Sequence, residues 1–121
     1  MEYLGAFRKR KIDSKGRLLL PSEWINDSEF VFEVESIQHP GEGWLSLYTK
    51  EVWKREFDAK TSPAAKMIFS RRATFVKIDK QNRLLLPKEY SWKCIDLVGM
   101  GNYIAIVESA VWAGFFLMTT Y

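Results

Sequence analysis

Apolar and polar positions along the chain fall into two similar runs. The first starts with a β-prone lead-in, Tyr3–Ile12, passes through a polar turn, "DSKG" (13–16), and reaches a short apolar strand, "RLLL" (17–20). Pro21 then opens a helical turn, "PSEW". The order recurs with the lead-in Ala73–Ile78, the turn "DKQN" (79–82), a second "RLLL" (83–86) and Pro87 opening "PKEY". Proline suits the first helical position because its missing N–H would have no partner there. Apolar stretches then predict two strands in each half, Phe30–Glu35 with Trp44–Tyr48 and Cys94–Val98 with Tyr103–Val107. The second pair is joined by "GMGN", a hairpin turn. A helix closes each half, Lys50–Phe57 behind a Thr49 cap and Ala110–Leu117 behind Ser109. Between the halves, "SPAAKMIFSRR" predicts a connecting helix over 62–72, with Ser62 as cap and Pro63 as its first residue.

The two runs are copies. Residues 11–24 and 77–90, 66 positions apart, agree at nine of fourteen positions. A second echo links "WLSLYTKEVWKREF" with "YIAIVESAVWAGFF" at an offset of 59, so the first half carries about seven extra residues, which "IQHPGEG" accommodates. The chain reads as a single domain, 1–121, made of half-repeats 1–59 and 73–121 around the connecting helix. Neither half can bury its apolar face alone, so the expectation is one pseudo-two-fold, β-rich α+β barrel with short flanking helices.

Composition supports a packed domain, with 47% apolar and 15% aromatic residues in 121. A single cysteine, Cys94, excludes an intramolecular disulfide framework and points to a reducing compartment. "MEYLGAFRKR" does not resemble a secretory leader, and the longest uncharged run, Ser109–Tyr121, is too short to span a bilayer. A cytoplasmic protein without a membrane partner is expected.

The net charge of +3 matters less than where it sits: residues 8–17, "RKRKIDSKGR", hold six basic side chains against one acid. Arg8, Lys9, Arg10 and Lys11 are consecutive, so in a strand they alternate between faces. A core does not accept half of these charges, so the strand either protrudes or lies along a polyanion. In each turn an aspartate, Asp13 or Asp79, can accept backbone N–H bonds two residues on. Gly16 and Asn82 share one repeat position, and these two residue types best tolerate a left-handed backbone. Arg17 and Arg83 follow, able to reach back to the aspartate as a clamp or outward to a phosphate.

Catalysis is poorly supported. His39 lies in a Pro/Gly loop, Cys94 in an apolar strand, and Glu23 and Glu89 in helical first turns, where an acid favours the helix dipole. No cluster has metal-ligand spacing and no glycine-rich phosphate loop is present, so no enzyme activity, small-molecule substrate, metal or cofactor is expected.

"LGAFRKRKIDSKGRLLLPSEW" and "RRATFVKIDKQNRLLLPKEY" resemble the paired motifs of the MraZ proteins, within the AbrB/SpoVT-like group of swapped-hairpin DNA-binding domains. The hallmark Asp-x-x-x-Arg element is met by Asp13–Arg17 and Asp79–Arg83, with Gly16, Pro21, Asn82 and Pro87 completing the motif. The resemblance covers nearly the whole chain. It implies an AbrB-like swapped-hairpin barrel and a transcriptional repressor of the division and cell-wall gene cluster, associated with the nucleoid. It also implies a homo-oligomer, in ring form, that binds repeated promoter boxes in double-stranded DNA. Carried onto this sequence, the DNA contacts are Arg8, Lys9, Arg10, Lys11, Lys15 and Arg17, with Lys80 and Arg83 in the second half. Asn82 departs from the usual glycine, and the C-terminus is short. The uncharged end, with Trp112, Phe115 and Phe116, packs either on its own barrel or on a neighbouring subunit. Two other readings remain: a dimeric AbrB-like regulator or antitoxin, and an oligomeric scaffold whose basic strand meets an acidic protein.

Overall fold

In a computed structural model, residues 2–25, 29–34 and 44–110 are described. The elements are β1 (Ala6–Lys11), β2 (Arg17–Leu19), β3 (Glu29–Val34), β4 (Trp44–Thr49), α1 (Lys50–Ala59), α2 (Pro63–Arg71), β5 (Ala73–Lys77), β6 (Arg83–Leu85), β7 (Cys94–Gly99) and β8 (Ile104–Glu108). Side chains start both helices. Thr49 Oγ1 accepts from the Val52 N–H at 3.3 Å, and Ser62 Oγ from the Ala65 N–H at 3.1 Å, with Pro63 inside the first turn.

Some elements differ from the expectation. Pro21 caps a single 3₁₀ turn, Ser22–Trp24, and does not form its first residue. Its counterpart in the second half is a bare turn closed by the Tyr90 N–H on the Pro87 carbonyl at 2.9 Å. Only three residues of each "RLLL" are strand. The fourth, Leu20 or Leu86, donates its N–H instead to the carbonyl of Asn82 or Gly16 in the opposite half, at 2.9 and 3.0 Å. The expected C-terminal helix with Trp112, Phe115 and Phe116, and the loop carrying His39, lie outside the described residues.

Six strands form one antiparallel sheet in the order β1-β7-β8-β4-β3-β5, and β2 pairs with β6 in a separate ribbon. The order reads the same from either end when the halves are exchanged. The lead-in strands change places: β1 of the first half lies on β7 of the second, and β5 lies on β3 of the first. Leu18 stands directly opposite Leu84 at the centre of the ribbon, which marks the pseudo-two-fold axis. The chain has the expected β-rich α+β character, as an antiparallel sheet edged by β1 and β5 with the ribbon packed on one face.

The core lies between ribbon and sheet. Leu18, Leu20, Leu84 and Leu86 meet Phe30, Phe32, Leu45, Leu47, Ile95, Leu97, Ile104 and Ile106. These positions alternate along each strand, as a sheet with one face on a core requires. The other face of β3 is covered by the helices, with Trp53 stacked between Phe57 and Phe69 over Val31.

Candidate nucleic-acid interface

Each turn is closed by its aspartate. Asp13 accepts from the Lys15 N–H at 3.0 Å, the Arg17 N–H at 2.8 Å and Arg17 Nε at 2.7 Å. Asp79 repeats this with the Gln81 N–H at 2.8 Å, the Arg83 N–H at 3.0 Å and Arg83 Nε at 2.7 Å. Bonds to backbone N–H groups, with the guanidinium beside them, hold both carboxyls below their ordinary pKa, the arginine N–H contributing most. Gly16 has φ 80° and Asn82 φ 63°, so both turns pass through the left-handed region at the same point. The arginines therefore serve first as clamps. Each spends Nε on its aspartate and keeps its side chain about 30% exposed at the strand start.

The basic lead-in does not alternate as a regular strand would. Phe7 pairs with Leu97 but Arg10 pairs with Ile95, so Arg8 and Lys9 together oppose the single residue Asp96. This bulge leaves Arg8 and Lys9 side by side in solvent, while Phe7 and Arg10 are both half-buried. The Phe7 ring packs edge-on against Trp24, and the Arg10 guanidinium lies 5.0 Å above that ring. Arg10 is thus partly a packing residue.

Strand exchange brings distant lysines to the same place. The Ile12 N–H donates to the Lys93 carbonyl at 2.9 Å, drawing the end of β1 against the segment before β7. An open cleft of about 840 Å³ results, lined among others by Lys11, Lys15, Lys88 and Lys93 with Leu85 and Trp92. None of these four lysines has an ion-pair partner among the described residues. Lys88 and Lys93 were missed in the sequence, because nothing local places them beside a turn more than seventy residues earlier. Only the pairing of β1 with β7 does so.

The other end of the ribbon is different. Because β2 and β6 run antiparallel, the turn with Lys80 and Arg83 lies away from the one with Lys15 and Arg17. Lys77, the counterpart of Lys11, approaches Glu29 at 3.8 Å, and Lys50 approaches the same carboxylate at 3.3 Å. Gln81 stands where the first turn has Lys15, and Ser22 where the second half has Lys88. Of the residues named from the sequence, Lys11, Lys15 and Arg17 belong to the first end, Lys80 and Arg83 to the second, and Arg8, Lys9 and Arg10 lie further back along β1. No group of three or more His, Cys, Asp or Glu residues among the described ones could hold a metal ion. No helix of the described residues is long and apolar enough to cross a membrane.

Fold and site together define a duplicated β-rich α+β domain with twin Asp–Arg turns on one two-fold ribbon and an excess of positive charge at one end. No protein-family model matches the chain. Among curated proteins it is similar to the "Transcriptional regulator MraZ" of Ligilactobacillus salivarius, 32% identical over 130 residues, covering 93% of this chain and 85% of that one. The protein of the same description from Pediococcus pentosaceus is 31% identical, covering 91% and 83%. That of Halothermothrix orenii is 26% identical, covering 93% and 85%. The chain belongs to the MraZ family.

Proposed function

We propose that this chain is a DNA-binding transcriptional repressor whose contact surface is the first end of the ribbon. The observation that carries the reading is the convergence of Lys11, Lys15, Lys88 and Lys93 from both halves around one ordered turn, with Arg8 and Lys9 exposed further back along β1. Family membership supplies the regulatory context. Lysines and arginines without ion pairs neutralise phosphates and release counterions, so affinity falls steeply with salt. An arginine reaching a guanine edge would add sequence choice, about 1–3 kcal/mol for each good bidentate pair. One small patch binds weakly. Copies joined in a homo-oligomer against repeated promoter boxes gain roughly 10²–10⁴ in apparent affinity through effective concentration. Occlusion of a division and cell-wall promoter by a nucleoid-associated ring in the cytoplasm is the form this takes on the family likeness.

Gel shifts with the DNA upstream of the chain's own coding sequence, over a salt series, test this. The expected result is a shift that weakens sharply with salt and is abolished by Arg8→Glu with Lys15→Glu, while circular dichroism stays unchanged. No shift at low salt would leave the scaffold reading standing in its place. Native mass separates a ring from an AbrB-like dimer. Arg10→Glu is a poorer probe, since it also removes the cover over Phe7.

A further inference from the structure

The two halves differ at one buried position in a way that the surface charge pattern alone does not explain. Asp96, only 4% exposed, projects from β7 on the side away from the main core. Its repeat counterpart on β3 is Val31, fully buried beneath Trp53 and Phe69. Asp96 Oδ1 accepts the Lys9 backbone N–H at 2.9 Å and Ser109 Oγ–H at 2.7 Å. Lys9 has φ 53°, a conformation that only a few residue types adopt without strain, and lysine is not one of them. At the equivalent seam the ladder from β5 to β3 runs without a bulge: Phe75 faces Val31 directly, and Lys50 occupies the position of Ser109. Bulge, buried acceptor and hydroxyl meet at the seam of β1 with β7 and are absent together from the equivalent seam of β5 with β3.

We propose that Asp96 is a positioning residue for DNA contact: its buried carboxylate holds the β1 bulge that sets Arg8 and Lys9 side by side on the outer edge. A bulged residue leaves the ladder, and its N–H loses the strand partner it would otherwise have. The buried member of the pair is the Asp96 carboxylate, which needs donors and finds one in that N–H. Asp96 provides the acceptor from the strand opposite, and Ser109 fixes the carboxylate. Without it β1 is expected to return to the regular ladder seen for β5, which restores alternation and turns Arg8 and Lys9 to opposite faces. Neither residue of the pair would then present its charge as it does now. This rests on the reading of the basic end as a DNA surface.

The test compares Asp96→Asn, which keeps an oxygen acceptor, with Asp96→Val, which copies the other half. Two readouts are taken: hydrogen exchange of the Lys9 amide, and affinity for the upstream DNA over a salt series. Asp96→Asn should leave both near wild type. Asp96→Val should expose the Lys9 amide, weaken DNA binding roughly tenfold and flatten the log–log salt slope by about one to two, the loss of one or two phosphate contacts. Should Asp96→Val not fold, the same variant with Lys9 deleted removes the extra residue along with its acceptor. It should fold with a regular β1 and show the same loss of affinity. Wild-type affinity and salt slope in a folded Asp96→Val variant whose Lys9 amide has become exposed overturn the proposal alone; with Lys9 deleted, they also overturn the placing of Lys9 on the DNA surface. A wild-type chain that shifts no DNA overturns both this and the reading beneath it.

Discussion

Asp13 and Asp79 each organise a turn with three hydrogen bonds, and both have carboxyl pKa values below the ordinary one. The sign follows by linkage. A group whose folded pKa is depressed contributes stability that is full above its unfolded pKa, about 4, and lost as pH falls through the lower folded value. Acidification below about pH 4 should therefore free the two turns. Amide exchange at Lys15 and Gln81, the first N–H groups released, is the measurement that follows it. At the residue scale the left-handed positions also differ in tolerance. Gly16→Val should cost about 1–2 kcal/mol, because a β-branched side chain resists positive φ. Asn82→Gly removes strain but adds unfolded-state entropy, and should stay within about 1 kcal/mol of wild type. Denaturant midpoints distinguish the two.

Among the elements, the β2–β6 ribbon is the one on which both halves depend. Leu18 and Leu84 are directly opposed and both 0% exposed. Truncation of either to alanine should cost about 2–5 kcal/mol. The two sites share one cavity, so the double variant should deviate from the sum of the single ones by more than about 0.5 kcal/mol, measured in a double-mutant cycle by urea unfolding. The ribbon also separates what was legible in the sequence from what was not. The turns were legible because Asp13, Gly16 and Arg17 act within five residues, and so do Asp79, Asn82 and Arg83. The capped starts of α1 and α2 were legible for the same reason. The exchange of β1 and β5 was not, since a repeated sequence is silent on which copy a strand will join. The bulge at Lys9 was hidden too. Its cause is a carboxylate 87 residues away, and the alternation expected of Arg8–Lys11 assumed a regular ladder. Lys88 and Lys93 escaped notice because only the pairing of β1 with β7 makes them neighbours of Lys15.

For the molecule as a whole, the exchanged lead-in strands mean that neither half has a complete sheet of its own. Each half supplies an edge strand to the other, and the ribbon takes one strand from each. Cutting the chain after Lys60, between α1 and α2, should give fragments 1–60 and 61–121 that are unfolded when made singly. Co-expressed, they should purify together with a strand-rich circular dichroism spectrum. A folded single fragment would contradict the shared core. The salt response of DNA binding belongs to the same scale, since the surface tested is assembled from both halves.

The substitution of Asp96 for Val31 carries a consequence for how such a molecule can change. In an assembly of two identical chains, every replacement is made twice, and both faces of the symmetry axis inherit it. Here the copies are covalently joined, so one seam between them can acquire a buried acid, a hydroxyl and a kinked edge while the other keeps a valine and a straight strand. The reciprocal bonds of Leu20 to Asn82 and Leu86 to Gly16 hold the frame common to both. Duplication within one chain has thus separated two inheritances: a scaffold that must stay symmetric, and two rims free to diverge, one toward excess charge and the other toward internal pairing.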